Sequence, residues 1–398
     1  MLSLDQVYMA NHALKGITRK TDLLYSPYFS GINQVYLKAE NLQITGSFKV
    51  RGAYFKISQL TDAEKEKGVI ACSAGNHAQG VALACQKKSV KATIYIPSAA
   101  PISKIEATKK YGAQVVLVDG VYDDAYNAAV LAAKEQDCVF IHPFNDEFVI
   151  AGQGTVGLEI LDELNDVEAI VVPIGGGGLA SGIAFAAKTL NPSIKVFGVQ
   201  AKGAPSMQNS VNQNQKVPLE RISTFADGIA VKEPGDLTFD LCSRYLDEVV
   251  TVTDDEIATA ILSLMENHKL VAEGAGAVSV AAMMFNKIPV KNKKVVCIIS
   301  GGNIDVTILS RVIQRGLVTS GRLSELIIEL IDKPGQLREV STIIAEQGAN
   351  VVRVNHNHGG EHMDINGCVL KVSMETRNFE HLEKIKQALA AANYKIVE

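Results

Sequence analysis

The stretch that decides the fold reads Ala169-Ile-Val-Val-Pro-Ile-Gly-Gly-Gly-Gly-Leu179. It is an unbroken apolar run that ends in four glycines, and a helical pattern follows over residues 179–190. An apolar run without alternation is typical of a strand that is buried on both faces of a parallel sheet. In open α/β sheets, ligands bind where such strands end. The stretch therefore predicts an α/β fold with a ligand site just after residue 174.

The same alternation of strand and helix continues over about 300 residues, which predicts parallel sheets covered on both faces. The predicted strands are 35–38, 69–72, 91–96, 114–118, 169–174, 195–199, 248–252 and 294–300. The clearest helices are 77–88, 122–136 and 179–190.

The pattern changes after residue 315. Residues 316–324 are small, polar and contain glycine, which predicts a linker. Residues 325–398 then read as strand, helix, strand, strand, helix, strand, the order of a ferredoxin-like domain. We therefore expect a main domain over residues 1–315 and a small domain over residues 325–398.

Composition excludes several classes of protein. The 398 residues carry 39 Lys and Arg against 43 Asp and Glu, so the basic excess of a nucleic-acid binder is missing. No run approaches the ~20 apolar residues that span a bilayer, and no secretory leader is visible. The six cysteines are scattered without a metal-binding spacing and are interpreted as free thiols. We expect a cytoplasmic protein that acts without nucleic acid or membrane.

Three glycine-bearing loops each follow a predicted strand: residues 73–80, 175–178 and 300–303. The four glycines of the second loop let amide groups converge in front of a helix, an arrangement that suits a phosphate. A dinucleotide is the alternative, because Gly175, Gly177 and Ala180 fit a loose fingerprint. A dinucleotide site needs an acidic residue at the end of the next strand to bind the ribose, but this chain has Gln200 at that position. A monophosphate cofactor is therefore preferred.

A lysine stands where a helix is expected to begin, in Thr45-Gly-Ser-Phe-Lys-Val-Arg-Gly-Ala53. Ser47 is predicted as the N-cap, which places Phe48 and Lys49 in the first turn. The positive end of the helix dipole lowers the pKa of such an amine and favours its neutral, nucleophilic form. A single lysine is usually just an exposed charge, so the interpretation depends on the surrounding motifs.

The first glycine loop is a candidate site for a carboxylate. A helix is expected to begin near Asn76 and His77, where free amide groups can hold an anion, and Ser73 and Asn76 add side-chain donors. An ordinary helix cap is the alternative for the loop taken alone. His77 by itself is interpreted as a residue of the helix start rather than as a base.

These stretches together resemble the fold-type II pyridoxal-phosphate enzymes, whose two-subdomain architecture is tryptophan synthase β-like, and most closely the threonine ammonia-lyase branch. The matching segments are 47–53, 73–80, 151–155, 175–179, 226–228 and 300–303. The resemblance implies a catalytic domain over residues 1–315, with a smaller subdomain over roughly residues 45–145. The tail, with Lys333-Pro-Gly-Gln-Leu337, resembles an ACT domain, a module that senses amino acids.

The resemblance also implies roles for particular residues. Lys49 would bind pyridoxal 5'-phosphate covalently and, once freed, take the Cα proton of the substrate. Phe48 would pack on the cofactor ring, Asn76 would bond to its hydroxyl and Ser300 would face its pyridine nitrogen. The phosphate would lie against Gly175, Gly176, Gly177, Gly178 and Leu179. The substrate carboxylate would lie against Ser73, Ala74, Gly75, Asn76 and His77.

The implied reaction converts L-threonine to 2-oxobutanoate and ammonia, and L-serine to pyruvate as a side activity. Serine racemase is one alternative, but those enzymes carry a serine as second acid/base where this chain has Ala74. Their divalent-metal site uses carboxylates at positions matching Gln200 and Ser206, so no metal is expected there. A non-catalytic amino-acid sensor is the alternative from another class.

The tail implies regulation by an amino-acid effector. Isoleucine is expected as an inhibitor, opposed by valine, and the assembly is expected to be a homodimer or homotetramer. The tail also holds a cluster of potential metal ligands, namely His356, His358, Glu361 and His362. This cluster is interpreted as a polar hairpin in preference to a metal site.

Overall fold

The computed structural model describes residues 1–358 and 366–397. The contacts within the chain divide it into two units, Met1–Val306 and Thr307–Glu398. This division lies a few residues before the expected domain end at residue 315.

The strands of the described residues are numbered in chain order. They are β1 (Leu23–Tyr25), β2 (Gln34–Ala39), β3 (Val69–Cys72), β4 (Ala92–Pro97), β5 (Gln114–Val118), β6 (Val139–Phe140), β7 (Ala169–Pro173), β8 (Lys195–Ala201), β9 (Glu248–Val252), β10 (Lys294–Ile299), β11 (Leu323–Ile331), β12 (Asn350–His358), β13 (Gly367–Glu375) and β14 (Lys395–Val397).

The helices are numbered in the same way. They are α1 (Leu4–Ala13), α2 (Pro27–Ser30), α3 (Lys49–Ser58), α4 (Asp62–Lys67), α5 (Asn76–Lys88), α6 (Ile102–Lys109), α7 (Tyr122–Glu135), α8 (Glu147–Glu163), α9 (Gly178–Leu190), α10 (Ser206–Gln213), α11 (Asp236–Tyr245), α12 (Asp254–His268), α13 (Gly274–Met284), α14 (Val306–Thr319), α15 (Gln336–Glu346) and α16 (Phe379–Ala391). Two short 3₁₀ turns cover Glu40–Leu42 and Asp227–Ile229.

The first unit contains two sheets. The larger has the strand order β1-β2-β10-β7-β8-β9, and every pair is parallel except β1 with β2. All five residues of β7 are buried, as its unbroken apolar run predicts. The smaller sheet, β5-β4-β3-β6, is wholly parallel and lies within the predicted smaller subdomain. The predicted parallel α/β architecture is confirmed.

The three glycine loops follow the carboxyl ends of β3, β7 and β10. Strands β7 and β10 are neighbours, with Val171 beside Cys297, so their loops leave the same edge of the larger sheet. Strand β3 belongs to the smaller sheet. Helix α3 bridges the two parts, because it packs against α5, which follows β3, and against α8, which packs against α9. The fold thereby brings the lysine-bearing helix near all three loops.

The second unit holds a four-stranded antiparallel sheet in the order β12-β13-β11-β14. One face of it forms an apolar core with the two helices α15 and α16, in which Ile328, Leu370, Val340, Ile344 and Leu389 are buried. The predicted strand–helix–strand–strand–helix–strand order is confirmed.

The predicted linker is wrong over part of its length. Residues 316–319 belong to α14, and only residues 320–322 separate this helix from β11. Val312 and Gly316 are buried one helical turn apart, and a glycine inside a helix costs only about 1 kcal/mol. Burial of this face is enough to continue the helix through a segment whose composition is that of a linker.

Two further features of the structure concern disulfides and membrane-spanning helices. None of the six cysteines forms a disulfide. Within residues 1–358 and 366–397, no helix combines the length and apolar character that crossing a membrane requires.

Candidate active site

Lys49 is the first residue of α3, as the sequence predicted for a lysine of the first turn. The N-cap is Phe48 rather than Ser47, and no side chain caps this helix. Ser47 instead forms an isolated antiparallel bridge with Gly301, and its buried hydroxyl has no partner among the described residues. The predicted N-cap was wrong because Ser47 pairs with a distant loop, and the helix begins after Phe48.

The amine of Lys49 lies in a half-buried, mostly uncharged environment. Its Nζ donates a 2.8 Å hydrogen bond to the carbonyl oxygen of Pro143 and lies 5.3 Å from the centre of the Phe48 ring. Burial lowers the pKa of Lys49 to about 8, although the Glu273 carboxylate acts in the opposite direction. A substantial fraction of this amine is therefore neutral at physiological pH.

The chain from His142 to Phe144 connects this amine to the four-glycine loop. The Phe144 ring lies directly against the loop, since a Cβ atom built on Gly176 would lie 2.4 Å from it. A Cβ on Gly178 would lie 2.9 Å from the Cβ of Phe144. The carbonyl that holds Lys49 thus belongs to the residue next to the ring that packs on this loop. These two glycines are required because any side chain would displace Phe144.

His142 fixes the turn that carries this carbonyl. Its Nδ1 accepts hydrogen bonds from the amides of Phe144, at 3.2 Å, and Asn145, at 2.8 Å. Burial, together with the charge of Lys49, lowers the pKa of His142 to about 4. The ring is therefore neutral at physiological pH, which leaves Nδ1 free to accept both bonds.

The four-glycine loop presents donors without protein partners. Helix α9 begins at Gly178, one residue earlier than predicted, after Gly177 at a φ of 98°. Among the described residues, no acceptor pairs with the amides of Gly175, Gly176, Gly177, Gly178 and Leu179. The Thr238 hydroxyl donates to the carbonyl oxygen of Gly176 at 2.6 Å and orients the loop from behind. Largely buried amides at a helix N-terminus require an acceptor, and a phosphate satisfies several of them together.

The loop after β3 has a similar character. Its Ser73 hydroxyl accepts from the amide of Gly75 at 3.1 Å, and α5 begins at Asn76, as predicted. The amides of Ala74, Asn76 and His77 have no acceptor within the described part of the chain. These three groups can hold the carboxylate of a substrate.

The His77 side chain does not face this anion site. Its Nε2 lies 2.8 Å from the carbonyl oxygen of Ile141, and its ring is buried. Burial, with a smaller effect of the Lys49 charge, lowers the pKa of His77 to about 3. The residue is therefore neutral and structural, and only its amide can contribute to the candidate site.

A buried carboxylate completes the polar part of the site. Asn76 Nδ2 donates to Glu273 Oε1 at 2.6 Å, while Asn303 Nδ2 donates to Asn76 Oδ1 at 2.8 Å. Burial, followed by the charge of Asp227, raises the pKa of Glu273 to about 7, against the effects of Asn76, Lys104 and Lys49. Glu273 therefore exchanges a proton near neutral pH within the electrostatic reach of Lys49.

The third glycine loop is joined to the segment that carries Lys49. The amide of Phe48 donates to the carbonyl oxygen of Ser300 at 3.1 Å, and the amide of Gly302 donates to Gly46 at 2.9 Å. The Ser300 hydroxyl is buried and donates to the carbonyl oxygen of Ala275 at 3.3 Å. Residues 46–48 and 300–302 thus form one continuous wall.

Sequence reasoning missed several residues of this site. Glu273 gave one signal, as the single charge within the apolar run of residues 270–285. Asn303 lies in a motif that was recognised, yet it received no role. Pro143 and Phe144 gave no signal, because only the tertiary fold brings them to Lys49.

The residues present fit pyridoxal phosphate. The site combines an amine of lowered pKa, unpaired amides for a phosphate, unpaired amides for a carboxylate, and the half-buried Phe48 ring beside the amine. Gln200 and Ser206 are both buried and neutral; Gln200 Nε2 and Ser206 Oγ have no hydrogen-bond partner among the described residues.

Comparison with known proteins agrees with this chemistry. Residues 14–301 match the family of pyridoxal-phosphate dependent enzymes. The chain belongs to this family, and its fold is the fold-type II architecture.

Particular relatives narrow the comparison. The L-threonine ammonia-lyase of Thermotoga maritima is 50% identical over 398 residues, which cover 100% of this chain and 99% of that protein. A threonine deaminase structure from Solanum lycopersicum is 37% identical with a TM-score of 0.74, covering 79% of this chain and 90% of its own. The structure of maize serine racemase is 34% identical with a TM-score of 0.75, covering 80% and 98%.

Proposed function

We propose that this protein is a threonine ammonia-lyase, which converts L-threonine to 2-oxobutanoate and ammonia and acts on L-serine more weakly to give pyruvate. The observation that carries the proposal is the placement of the Lys49 amine. It is held by the carbonyl of Pro143, beside the ring that packs on the unpaired amides of the four-glycine loop. The full-length similarity to the Thermotoga maritima enzyme supports threonine as the substrate.

The cofactor, when bound, would stabilise negative charge at the substrate's Cα and so allow the proton there to leave. Lys49, Phe48, Asn76, Ser300 and the amides of residues 175–179 would hold it. Lys49 acts as the base for the Cα proton because burial lowers its pKa to about 8, which makes its neutral form far more accessible than that of an exposed lysine. The amides of Ala74, Asn76 and His77 orient the substrate by its carboxylate.

Glu273 supplies the second titrating group. Its carboxylate is fixed by Asn76, and its negative charge limits how far the pKa of Lys49 falls. Because burial raises the pKa of Glu273 to about 7, this residue takes up or releases a proton within the working range of the site.

The direct test is turnover of L-threonine without a second substrate. We expect equal amounts of 2-oxobutanoate and ammonia, loss of turnover in Lys49→Ala, and normal turnover in the control Lys87→Ala, which alters an exposed lysine of α5. Borohydride reduction should attach the cofactor to Lys49. Wild-type protein that binds no pyridoxal phosphate and releases no ammonia would favour a non-catalytic sensor.

Serine racemase is the second candidate, since the maize enzyme shares the fold. We expect L-serine to give pyruvate and ammonia but little D-serine, because Ala74 has no proton to deliver to the opposite face of Cα. Chiral analysis of serine after incubation distinguishes the two, and Ala74→Ser should increase D-serine formation. Abundant D-serine from the wild-type protein would contradict the proposal.

We further propose that residues 325–398, within the second unit, form an ACT-type regulatory domain that works in a cytoplasmic homodimer or homotetramer. The ferredoxin-like order of its elements, and the exposed loop that meets the N-terminus of α15, support a site for a small amino acid near residues 334–337. Isoleucine is the expected inhibitor and valine its antagonist.

Truncation separates this regulation from catalysis. Ending the chain after Ser320 keeps α14 complete and removes the sheet of the second unit. The structure of maize serine racemase covers 80% of this chain with 98% of its own. This similarity supports the expectation that residues 1–320 fold without the sheet of the second unit. We expect turnover to persist and isoleucine inhibition to disappear. Undiminished inhibition in the truncated protein would refute the assignment to the tail.

A further inference from the structure

The second unit holds a convergence of metal-ligand side chains outside the site described above. One donor atom from each of Asp332, His356 and Cys368 lies within 4.8 Å of the other two. Elsewhere among residues 1–358 and 366–397, no three such side chains come together at this distance. Glu361 and His362, the other members of the cluster noted in the sequence, lie outside the described residues.

Strand register explains the convergence. Cys368 in β13 lies between Leu330 of β11 and His358 of β12, and His356 lies opposite Leu370. Because side chains of a strand alternate between faces, His356 and His358 share the face of Cys368 and Leu370. Asp332 follows the end of β11 on the same side, and its amide bonds to the carbonyl of Asn366 at 2.8 Å. The donors thus gather at one end of the face that the two helices cover.

A further potential donor, His358, lies beside two members of this group. His358 Nδ1 lies 3.3 Å from Asp332 Oδ2, and the rings of His356 and His358 are 4.6 Å apart. Cys368 is buried, whereas the side chains of His358 and Asp332 are about half exposed, at 57% and 50%. The thiol is therefore fixed while the other donors are free to rotate toward it.

We propose that Asp332, His356 and Cys368, with His358 as the fourth donor, form a binding site for a divalent transition-metal ion. Thiolate and imidazole ligands select zinc, cobalt or nickel over magnesium and calcium. A tetrahedral ion with bonds of about 2.0–2.3 Å places its ligands roughly 3.3–3.8 Å apart. The exposed donors reach this spacing by rotamer changes, and the Cys368 thiol releases its proton to water as the metal–sulfur bond forms.

This proposal departs from the interpretation of the histidines as a polar hairpin. The cluster noted in the sequence did not include two of the donors. These are Asp332, which follows the end of β11, and Cys368, which lies in β13 in the interior of the sheet. Neither is close to the histidines in the sequence, and their proximity depends on the pairing of β11, β12 and β13.

Cobalt(II) titration of the full-length holoenzyme tests the proposal. We expect one ion per chain and a near-ultraviolet band from thiolate-to-cobalt charge transfer, with zinc displacing the cobalt. Cys368→Ser should remove this band, and His356→Asn should weaken binding at least ~10-fold. The matched controls are Cys138→Ser, at a partly exposed thiol of the first unit, and Asn357→Ala, between the two histidines; both should bind like the wild type.

Cofactor absorbance and far-ultraviolet circular dichroism establish that each variant is folded. If Cys368→Ser does not fold, the exposed variants His356→Asn and Asp332→Asn decide the question by their loss of affinity. A titration without a charge-transfer band would overturn the proposal. So would unchanged affinity in His356→Asn and Asp332→Asn, or a band that disappears only in Cys138→Ser.

Discussion

Arg51 lies two residues after Lys49 and holds two carboxylates inside the protein. Its Nε and Nη2 donate to the two oxygens of Glu40 at 2.8 Å each, and its Nη1 and Nη2 donate to those of Glu159 at 2.6 and 3.0 Å. The side chains of Arg51 and Glu40 are completely buried. Replacing Arg51 by Met keeps a long apolar side chain and removes the charge that both carboxylates share.

The size of the expected loss follows from the partners that remain. Glu159 keeps the Lys38 amine at 2.7 Å, whereas Glu40 keeps the Thr21 hydroxyl at 2.5 Å as its nearest remaining donor. Removing one partner of a buried ion pair typically costs about 3–5 kcal/mol. We expect Arg51→Met to lower the free energy of unfolding by about this amount at pH 7. That is a large part of the ~5–15 kcal/mol that holds most proteins folded.

The loss should depend on pH in a defined direction. In the wild type, burial acts to raise the pKa of Glu40, but the charge and hydrogen bonds of Arg51 hold it below its usual value. Glu40 therefore contributes stability above its unfolded pKa, and this contribution disappears as the pH falls through the folded pKa. Without Arg51, the effect of burial is opposed only by the Thr21 hydrogen bond and the Lys38 charge, so we expect the folded pKa of Glu40 to rise and its ionisation to contribute less stability. The difference between the two proteins should thus grow from pH 4 to pH 7.

Urea unfolding followed by far-ultraviolet circular dichroism measures this difference, because the chain has no tryptophan for fluorescence. The matched control is Arg244→Met, which removes an exposed ion pair with Asp240 at 3.5 Å and should change stability by less than ~0.5 kcal/mol. A loss below about 1 kcal/mol, or an equal loss at pH 4 and pH 7, would refute the reasoning.

Three further predictions concern the cofactor site. The rate at which the apoenzyme rebinds pyridoxal phosphate should rise about tenfold per pH unit below the Lys49 pKa of about 8 and level off above it, because only the neutral amine reacts. Stopped-flow absorbance measures this rate, and a rate that does not change with pH would contradict the prediction. In Glu273→Gln, loss of the negative charge that raises the pKa of Lys49 should move the midpoint of this profile to lower pH, and an unmoved midpoint would count against the electrostatic coupling. Gly176→Ala should weaken cofactor binding and lower the free energy of unfolding by about 1–3 kcal/mol, because the new Cβ would lie 2.4 Å from the Phe144 ring. Adding Phe144→Leu should restore part of the cofactor affinity, measured by spectroscopic titration, and part of the stability, measured by urea unfolding.

Short strands rich in β-branched residues were the most predictable elements, both where they are fully buried, as β3 is, and where they are partly exposed, as β5 is. The predicted strands 69–72, 114–118 and 248–252 match β3, β5 and β9 at both ends. Most of their residues are apolar or β-branched, and their neighbours break the pattern, so the local sequence alone is enough to define them. The strand, glycine loop and helix around residue 175 could be predicted for the same reason.

Elements that depend on distant partners could not be predicted. Ser47 has the composition of a helix cap, but its bridge to Gly301 decides its conformation. The helix through Gly316 depends on burial of one face, which composition does not reveal. Glu273 reaches Asn76 across nearly 200 residues of sequence, and only the assembled fold places its carboxylate there.

The wall formed by residues 46–48 and 300–302 has a consequence for how the protein is made. Its two halves are about 250 residues apart in the chain, and each hydrogen bond between them needs both. A ribosome that adds 5–20 residues per second takes roughly 10–50 s to cover that distance. Throughout this interval Lys49 lacks its opposite wall, and the burial that lowers its pKa is incomplete. We therefore expect the proposed site to become able to bind the vitamin-derived aldehyde late in translation, only once β10 has left the exit tunnel.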